Sequence, residues 1–141
     1  MKHRIGFNAL SRTSAERKAL LRNLATSFFR HERIETTLAK AKEVQRMVEK
    51  MITRAKTDSV HNRRIIARDI YDEAVTAKLF KEIGPLYADV AGGYTRIIKT
   101  QNRLGDAAEM AILDLTKKTA SYEEKLKAQE KLAKKKAREG E

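Results

Sequence analysis

The chain is 141 residues long, room for one domain of ordinary size and not for two. Lys and Arg number 31 against 19 Asp and Glu, a net charge of +12, while Leu, Ile, Val and Phe together also number 31, enough for a modest core. The absence of cysteine excludes a disulfide scaffold, a thiolate zinc site and a cysteine nucleophile, and a longest apolar run of four residues, Met110 to Leu113, excludes a transmembrane helix and a secretory h-region.

The charge is unevenly placed. Residues 1–56 carry a balance of +9, residues 57–115 one of −1, and residues 116–141 one of +4. Thirteen of the fourteen arginines precede residue 104, whereas eight of the seventeen lysines follow residue 116. Planar, bidentate Arg suits fixed phosphate contacts, and Lys suits a hydrated, loosely held charge. The distribution predicts an Arg-bearing binding body with a Lys-rich tail, in a small, soluble, intracellular protein whose partner is a polyanion.

In chain order, residues 1–12 show no helical period and carry Lys2, His3, Arg4 and Arg12, so they read as a flexible basic arm. Thr13-x-x-Glu16 forms a capping box that opens a helix, with Leu21, Leu24, Ala25 and Phe28 on one face, to about Arg30. Ile34-Glu35-Thr36-Thr37 is short and β-branched and predicts a strand. Thr37 then caps a second helix with Ala41, Val44, Val48, Met51, Ile52 and Ala55 inward, the strongest period in the chain. Asp58-Ser59 stops it and caps a third helix containing Ile65, Ile66 and Ile70. Asp72 caps a fourth, with Val75, Leu79, Phe80 and Ile83 inward, ended by Gly84-Pro85. After Gly92-Gly93 come a strand from Tyr94 to Thr100, a loop containing Gly105-Asp106, and a return strand from Met110 to Leu115. The expected fold is α+β, two-layer α/β, a small sheet covered on one side by helices. Residues 117–141 offer only Leu126 and Leu132 as strong hydrophobes, so they predict a charged helical appendage capped through Ser121-x-x-Glu124.

Lys42, Arg46, Lys50 and Arg54 recur every four residues on the side of the second helix away from Val44, Val48 and Ile52. At a rise of about 1.5 Å per residue the row runs for roughly 18 Å, long enough to follow several phosphates. A charged face of one helix is most simply a solvated face. The first helix adds Arg22, Asn23 and Arg30 among the small residues Ala19, Thr26 and Ser27, the arm adds its cations, and Asn62-Arg63-Arg64 opens the third helix. A basic surface built from several elements is the electrostatic footprint of a nucleic-acid binder. The lack of a helix-turn-helix signature favours RNA over DNA. Phe7, Tyr87 and Tyr94 are candidates for stacking on bases, while Phe28, Phe29 and Phe80 sit at core spacing. His3, His31 and His61 are dispersed and show no metal-ligand spacing. His31 falls at a helix end, where it meets terminal carbonyls or phosphate. Gly92-Gly93 lacks the following Lys-Ser/Thr pair of a nucleotide loop. The sequence therefore predicts no enzyme, no cofactor and no metal.

The stretch from Ile34 to Lys42, continuing through Glu49 to Lys56, resembles the signature of the bacterial large-subunit ribosomal protein L-seventeen family. His61-Asn62-Arg63-Arg64, Gly92 to Ile97, Gly105-Asp106, the opening Lys2-His3-Arg4, Leu10-x-Arg12 and Arg22-Asn23 are similar to that family at matching distances. The likeness covers roughly residues 1–116, with Ala39 where the family often has proline and with residues 117–141 running past a typical family end.

The resemblance implies a structural protein of the large (50S) subunit, in the cytoplasm, bound to 23S rRNA near the exit of the polypeptide tunnel. It implies the order helix, strand, three helices, two strands, and ribosomal proteins L-thirty-two and L-twenty-two as neighbours. It divides the chain into an L-seventeen-like domain over 1–116 and a Lys-rich extension over 117–141. The candidate RNA-binding set is Lys2, His3, Arg4, Arg12, Arg22, Arg30, His31, Lys40, Lys42, Arg46, Lys50, Arg54, Lys56, Asn62, Arg63, Arg64 and Arg96. A free RNA-chaperone or nucleoid-type module is the alternative, sharing the charge without one fixed RNA site.

Overall fold

Thr13 opens the first helix as its spacing predicts. Its hydroxyl accepts from the Glu16 N–H at 3.4 Å, and the Glu16 carboxylate accepts from the Thr13 N–H at 3.0 Å. The computed structural model, which describes residues 6–124 and 126–129, carries α1 over Ser14–His31. The helix closes at Glu32, which is left-handed with φ of 59° and returns its N–H to the Phe28 carbonyl. That conformation costs a non-glycine residue roughly 1 kcal/mol. The Glu32 side chain shows what offsets the cost: it is fully buried, with Lys78 Nζ 2.5 Å from its carboxylate.

Strand β1 (Arg33–Thr37) leads into α2 (Leu38–Ala55), whose buried face contains all six residues that the period picks out. Thr37 occupies the N-cap position, but its hydroxyl caps nothing. The Leu38 N–H donates to the Glu109 carbonyl at 2.9 Å instead, so the far hairpin satisfies the start of α2. Ser59 caps α3 (Val60–Ala67) through the Asn62 N–H at 3.1 Å, and Asp72 caps α4 (Glu73–Lys78) through the Ala74 and Val75 N–H groups.

Gly84-Pro85 does not end the helix. A π-helical turn over Leu79–Ile83 follows α4 directly, the Gly84 N–H donates to the Leu79 carbonyl, and α5 (Gly84–Leu86) continues with Pro85 in its first turn. Proline lacks an N–H and its ring crowds the carbonyl four residues back, so a wider turn before it lets the helix pass.

The sheet has the order β1-β3-β2, with β2 (Thr95–Lys99) and β1 both antiparallel to the central β3 (Met110–Leu115). Ala111, Leu113 and Leu115 are fully buried beneath the helices, and alternation sends Met110, Ile112 and Asp114 to the opposite face. The fold is the expected α+β arrangement, helices on one side of an antiparallel sheet, in the expected order. Phe28, Phe29 and Phe80 lie in the core as their spacing predicts. No helix among the described residues is long and apolar enough to cross a membrane.

Two further expectations change. Tyr87 and Tyr94 are 0% and 2% exposed, paired edge-to-face with ring centroids 5.3 Å apart, and so are not free to stack on bases. Residues 117–122 are not an appendage. The Tyr87 hydroxyl accepts the Lys117 N–H at 2.8 Å, Lys118 Nζ donates to the Glu32 carbonyl at 3.0 Å, and Thr119 gives its N–H at 3.1 Å and its hydroxyl to the Glu32 carboxylate. Thr119, rather than Ser121, caps the helical turn at 120–124 through the Tyr122 N–H at 3.3 Å, while Ser121 donates to Glu82 at 2.7 Å. Leu132 and the other residues of 130–141 lie outside the described residues, as do Lys2, His3 and Arg4.

Candidate nucleic-acid interface

Helix α2 buries one side against the sheet and the other helices, which forces its remaining side into water. Lys42, Arg46, Lys50 and Arg54 are all exposed there. Lys42, Lys50 and Arg54 make no ion pair among the described residues, and Arg46 has only a loose 4.0 Å approach to Glu43. Lys42, Lys50 and Arg54 can exchange their counterions for phosphates without first breaking an ion pair of their own.

Residues 6–8 of the segment expected to be free are fastened to this helix and to α1. Arg46 donates to the Gly6 carbonyl, the Asn8 N–H donates to Glu43 at 3.0 Å, and Arg17 lies over the Phe7 ring at 4.4 Å from its centroid. Arg12 is exposed on this segment. Glu43 and Arg17, which sequence reasoning passed over, act here through their partners. A lone acid at the start of a basic row was the available signal.

The other candidates fall into three groups. Lys50 and Arg54 line a cleft of about 210 Å³ between α2 and α3, floored by Met47, Met51, Ile65 and Ile66. Asp69 on its wall holds Arg22 at 3.0 Å, and Arg22 also donates to Tyr71 at 2.7 Å, which brings α1 to the same region. Arg64 is exposed nearby on α3. Arg30 and His31 instead share a small cleft with Lys78, Tyr122, Leu126 and Gln129, so they join the C-terminal segment and not the α2 row. Lys40 is half-buried.

Several candidates are already engaged. Arg30 reaches Asp72 at 2.5 Å, Arg63 grips Asp58 with two bonds of 2.6 Å, and Arg96 binds Asp114 at 2.8 Å. The facing guanidinium holds the Asp58 and Asp72 carboxyls below the ordinary carboxylate range. Lys56 donates to the Val90 carbonyl and sits 4.7 Å from the Tyr94 ring centroid. Asn62 spends its side-chain amide on the Arg54 and Thr57 carbonyls at 3.2 and 2.8 Å. These groups brace helix ends and loops. Among the described residues, the exposed candidate lysines and arginines with no side-chain bond are Arg12, Lys42, Lys50, Arg54 and Arg64.

The molecule is thus a small basic α+β protein with one long, exposed cationic helix face. The family model described as Ribosomal protein L17 matches residues 20–116, and the chain belongs to that family. The large ribosomal subunit protein bL17 of Borrelia turicatae is 57% identical over 119 residues, covering 84% of this chain and 96% of the relative. That of Borreliella burgdorferi is 52% identical over 123 residues, 87% of this chain and all of the relative. That of Treponema pallidum is 54% identical over 127 residues, 90% of this chain and 76% of the relative.

Proposed function

We propose that this chain is a structural constituent of the large ribosomal subunit in the cytoplasm, binding 23S rRNA near the polypeptide exit through Arg and Lys contacts to phosphate. The observation that carries the reading is the α2 row, exposed and almost free of internal ion pairs in a family whose relatives are named for the large subunit. The row, the fastened arm and Arg64 supply backbone contacts, while Arg22, Arg30, Arg63 and Arg96 add their remaining N–H groups from fixed positions. Ribosomal protein L-thirty-two is the first expected neighbour and L-twenty-two the second. Within this reading residues 1–116 form the ribosomal domain and 117–141 its extension, joined by the hydrogen-bonded stretch at 117–122.

Binding to an rRNA fragment is expected to be strongly salt-dependent. With about six phosphates neutralised, log affinity should fall against log salt with a slope of roughly −4 to −5. A slope near zero in a filter or fluorescence titration would remove the electrostatic reading. Crosslinking in cells should recover one dominant region of 23S rRNA, whereas scattered RNA and DNA would support the free module.

Replacing Lys50 and Arg54 together with Gln tests the row itself. Both side chains are exposed and neither holds the arm, so stability should move by no more than about 0.5 kcal/mol. The salt slope should flatten by about 1 to 2, with similar losses on matched and mismatched RNA, because phosphate contacts position without specifying. A lower melting temperature with unchanged affinity would make the row structural.

A further inference from the structure

The cationic row on α2 borders a cleft that contacts to phosphate leave unused. Its floor is apolar, made of Met47 and Met51 from α2 and Ile65 and Ile66 from α3. Lys50 and Arg54 line it on the α2 side, and Asp69, just past the end of α3, lines it on the other. Its volume of about 210 Å³ is below the roughly 300 Å³ at which pockets begin to hold whole small-molecule ligands. The space suits a single ring system.

The lining says what kind of ring. Thioether and aliphatic carbon offer dispersion and sulfur–aromatic contacts but no hydrogen bonds. A phosphate placed on this floor would lose its water for no return and would meet the Asp69 carboxylate. The cations at the edge nevertheless attract an anionic chain. Lys50 and Arg54 make no ion pair among the described residues, and four residues at about 1.5 Å each set them roughly 6 Å apart along the helix. Phosphates held at both positions leave the base between them at the mouth of the cleft. Loops and bulges of folded RNA supply such unstacked bases, and these are the places where proteins read RNA sequence.

Asp69 decides which base fits. Its Oδ1 accepts from Arg22 Nε at 3.0 Å, and Arg22 is held in turn by donating to the Tyr71 hydroxyl at 2.7 Å. Oδ2 has no partner among the described residues, and the side chain is 33% exposed. A carboxylate accepts hydrogen bonds and gives none. It therefore suits a base edge that presents an amino group, as cytosine does at N4, and opposes the O4 carbonyl that uracil presents at the same place.

We propose that the cleft between α2 and α3 is a base-reading site, entered by an unstacked, amino-bearing base of the bound RNA strand. The ring lies on Met47, Met51 and Ile65, and its amino group donates to Asp69. This rests on the rRNA-binding reading above and adds to it a sequence preference that phosphate contacts do not supply. Lys50 and Arg54 hold the strand whatever its sequence, and Asp69 is the specificity-determining residue.

The test uses the full chain and two single-stranded RNA nonamers, one all cytidine and one all uridine. They carry the same phosphates and differ at the base edge by an amino group against a carbonyl. In fluorescence anisotropy at one salt concentration the cytidine nonamer should bind about tenfold more tightly, and Asp69→Asn should bring the two within about twofold. A second measurement needs no variant. The chain has four methionines, and two of them floor the cleft. On adding the cytidine nonamer, the methyl NMR signals of Met47 and Met51 should move upfield under the ring current of a base. Met110, on the sheet face turned away from the helices, should stay in place. Equal affinity for the two nonamers, or a preference that survives Asp69→Asn, overturns the base-reading site. Unmoved Met47 and Met51 signals leave the cleft to a protein side chain and overturn it equally. None of these results touches the ribosomal reading while crosslinking in cells still recovers one region of 23S rRNA. Scattered crosslinks to RNA and DNA would remove the ribosomal reading, and with it the rRNA strand as the occupant.

Discussion

A chain ending at Thr116 should melt about 10 °C below the full-length chain, although the composition of residues 117–141 promises no such effect. The reason is Glu32. Its side chain is fully buried and carries a carboxylate held by Lys78 at 2.5 Å and by the N–H and hydroxyl of Thr119. Removing Thr119 takes two donors from a group that water reaches poorly, and removing Lys118 takes a cation from Asp114, which is only 2% exposed. The Tyr87 hydroxyl loses the Lys117 N–H at the same time. Stripping one partner from a buried hydrogen-bonded charge costs about 3 kcal/mol when nothing replaces it, and new access for water returns part of that. A net loss of about 2 to 3 kcal/mol corresponds to roughly 10 °C in a domain of this size. A chain ending at Tyr122 keeps every one of these bonds and should melt close to full length. If the two truncations melt alike and close to full length, the contacts at 117–119 contribute nothing measurable, and the extension is an appendage from its first residue.

The parts of the fold that were legible in the sequence are those decided within a few residues. The Thr13–Glu16 box, the Ser59 and Asp72 caps and the period of α2 each concern a single turn or face, and each appears as read. What was not legible depends on residues far apart in the chain. Glu32 looks like an ordinary charged residue until Thr119, 87 positions later, closes over it. Tyr87 and Tyr94 have the amphipathic character of a stacking platform, and only the Lys117 N–H and the facing ring show them to be interior. The candidate interface divides in the same way. A cation every fourth residue on α2 follows from helical geometry, so its exposure could be anticipated. That Arg30, Arg63 and Arg96 are engaged by Asp72, Asp58 and Asp114 could not, because composition counts charges without showing which of them meet.

Gly84→Ala should be the most damaging single methyl group in the molecule. The backbone of Gly84 is helical, with φ of −53°, so alanine fits the local conformation and on propensity alone would be favoured by about 1 kcal/mol. The surroundings reverse that sign. A Cβ at this position would stand 2.5 Å from the Ala55 carbonyl oxygen, 3.0 Å from its carbon and 3.3 Å from the Leu79 carbonyl oxygen. All three are main-chain atoms, so no rotamer change relieves the contact. Either the end of α2 or the α5 turn must retreat by nearly an ångström, opening the packing of Ile52, Leu79 and Ile83, each of which is fully buried. Overpacking of this kind outweighs the propensity gain, and the expected net loss is about 3 kcal/mol, with a melting temperature lower by roughly 12 °C. Gly92→Ala is the matched control, since nothing lies within 4 Å of its added methyl, and it should melt with the parent. The same displacement would shift Arg54 and Lys50 at the end of the basic row, so Gly84→Ala should also weaken rRNA binding at temperatures where the chain remains folded. A Gly84→Ala chain that melts with the parent would mean that α5 does not press on α2, and the reason for a glycine before Pro85 would have to lie outside this contact.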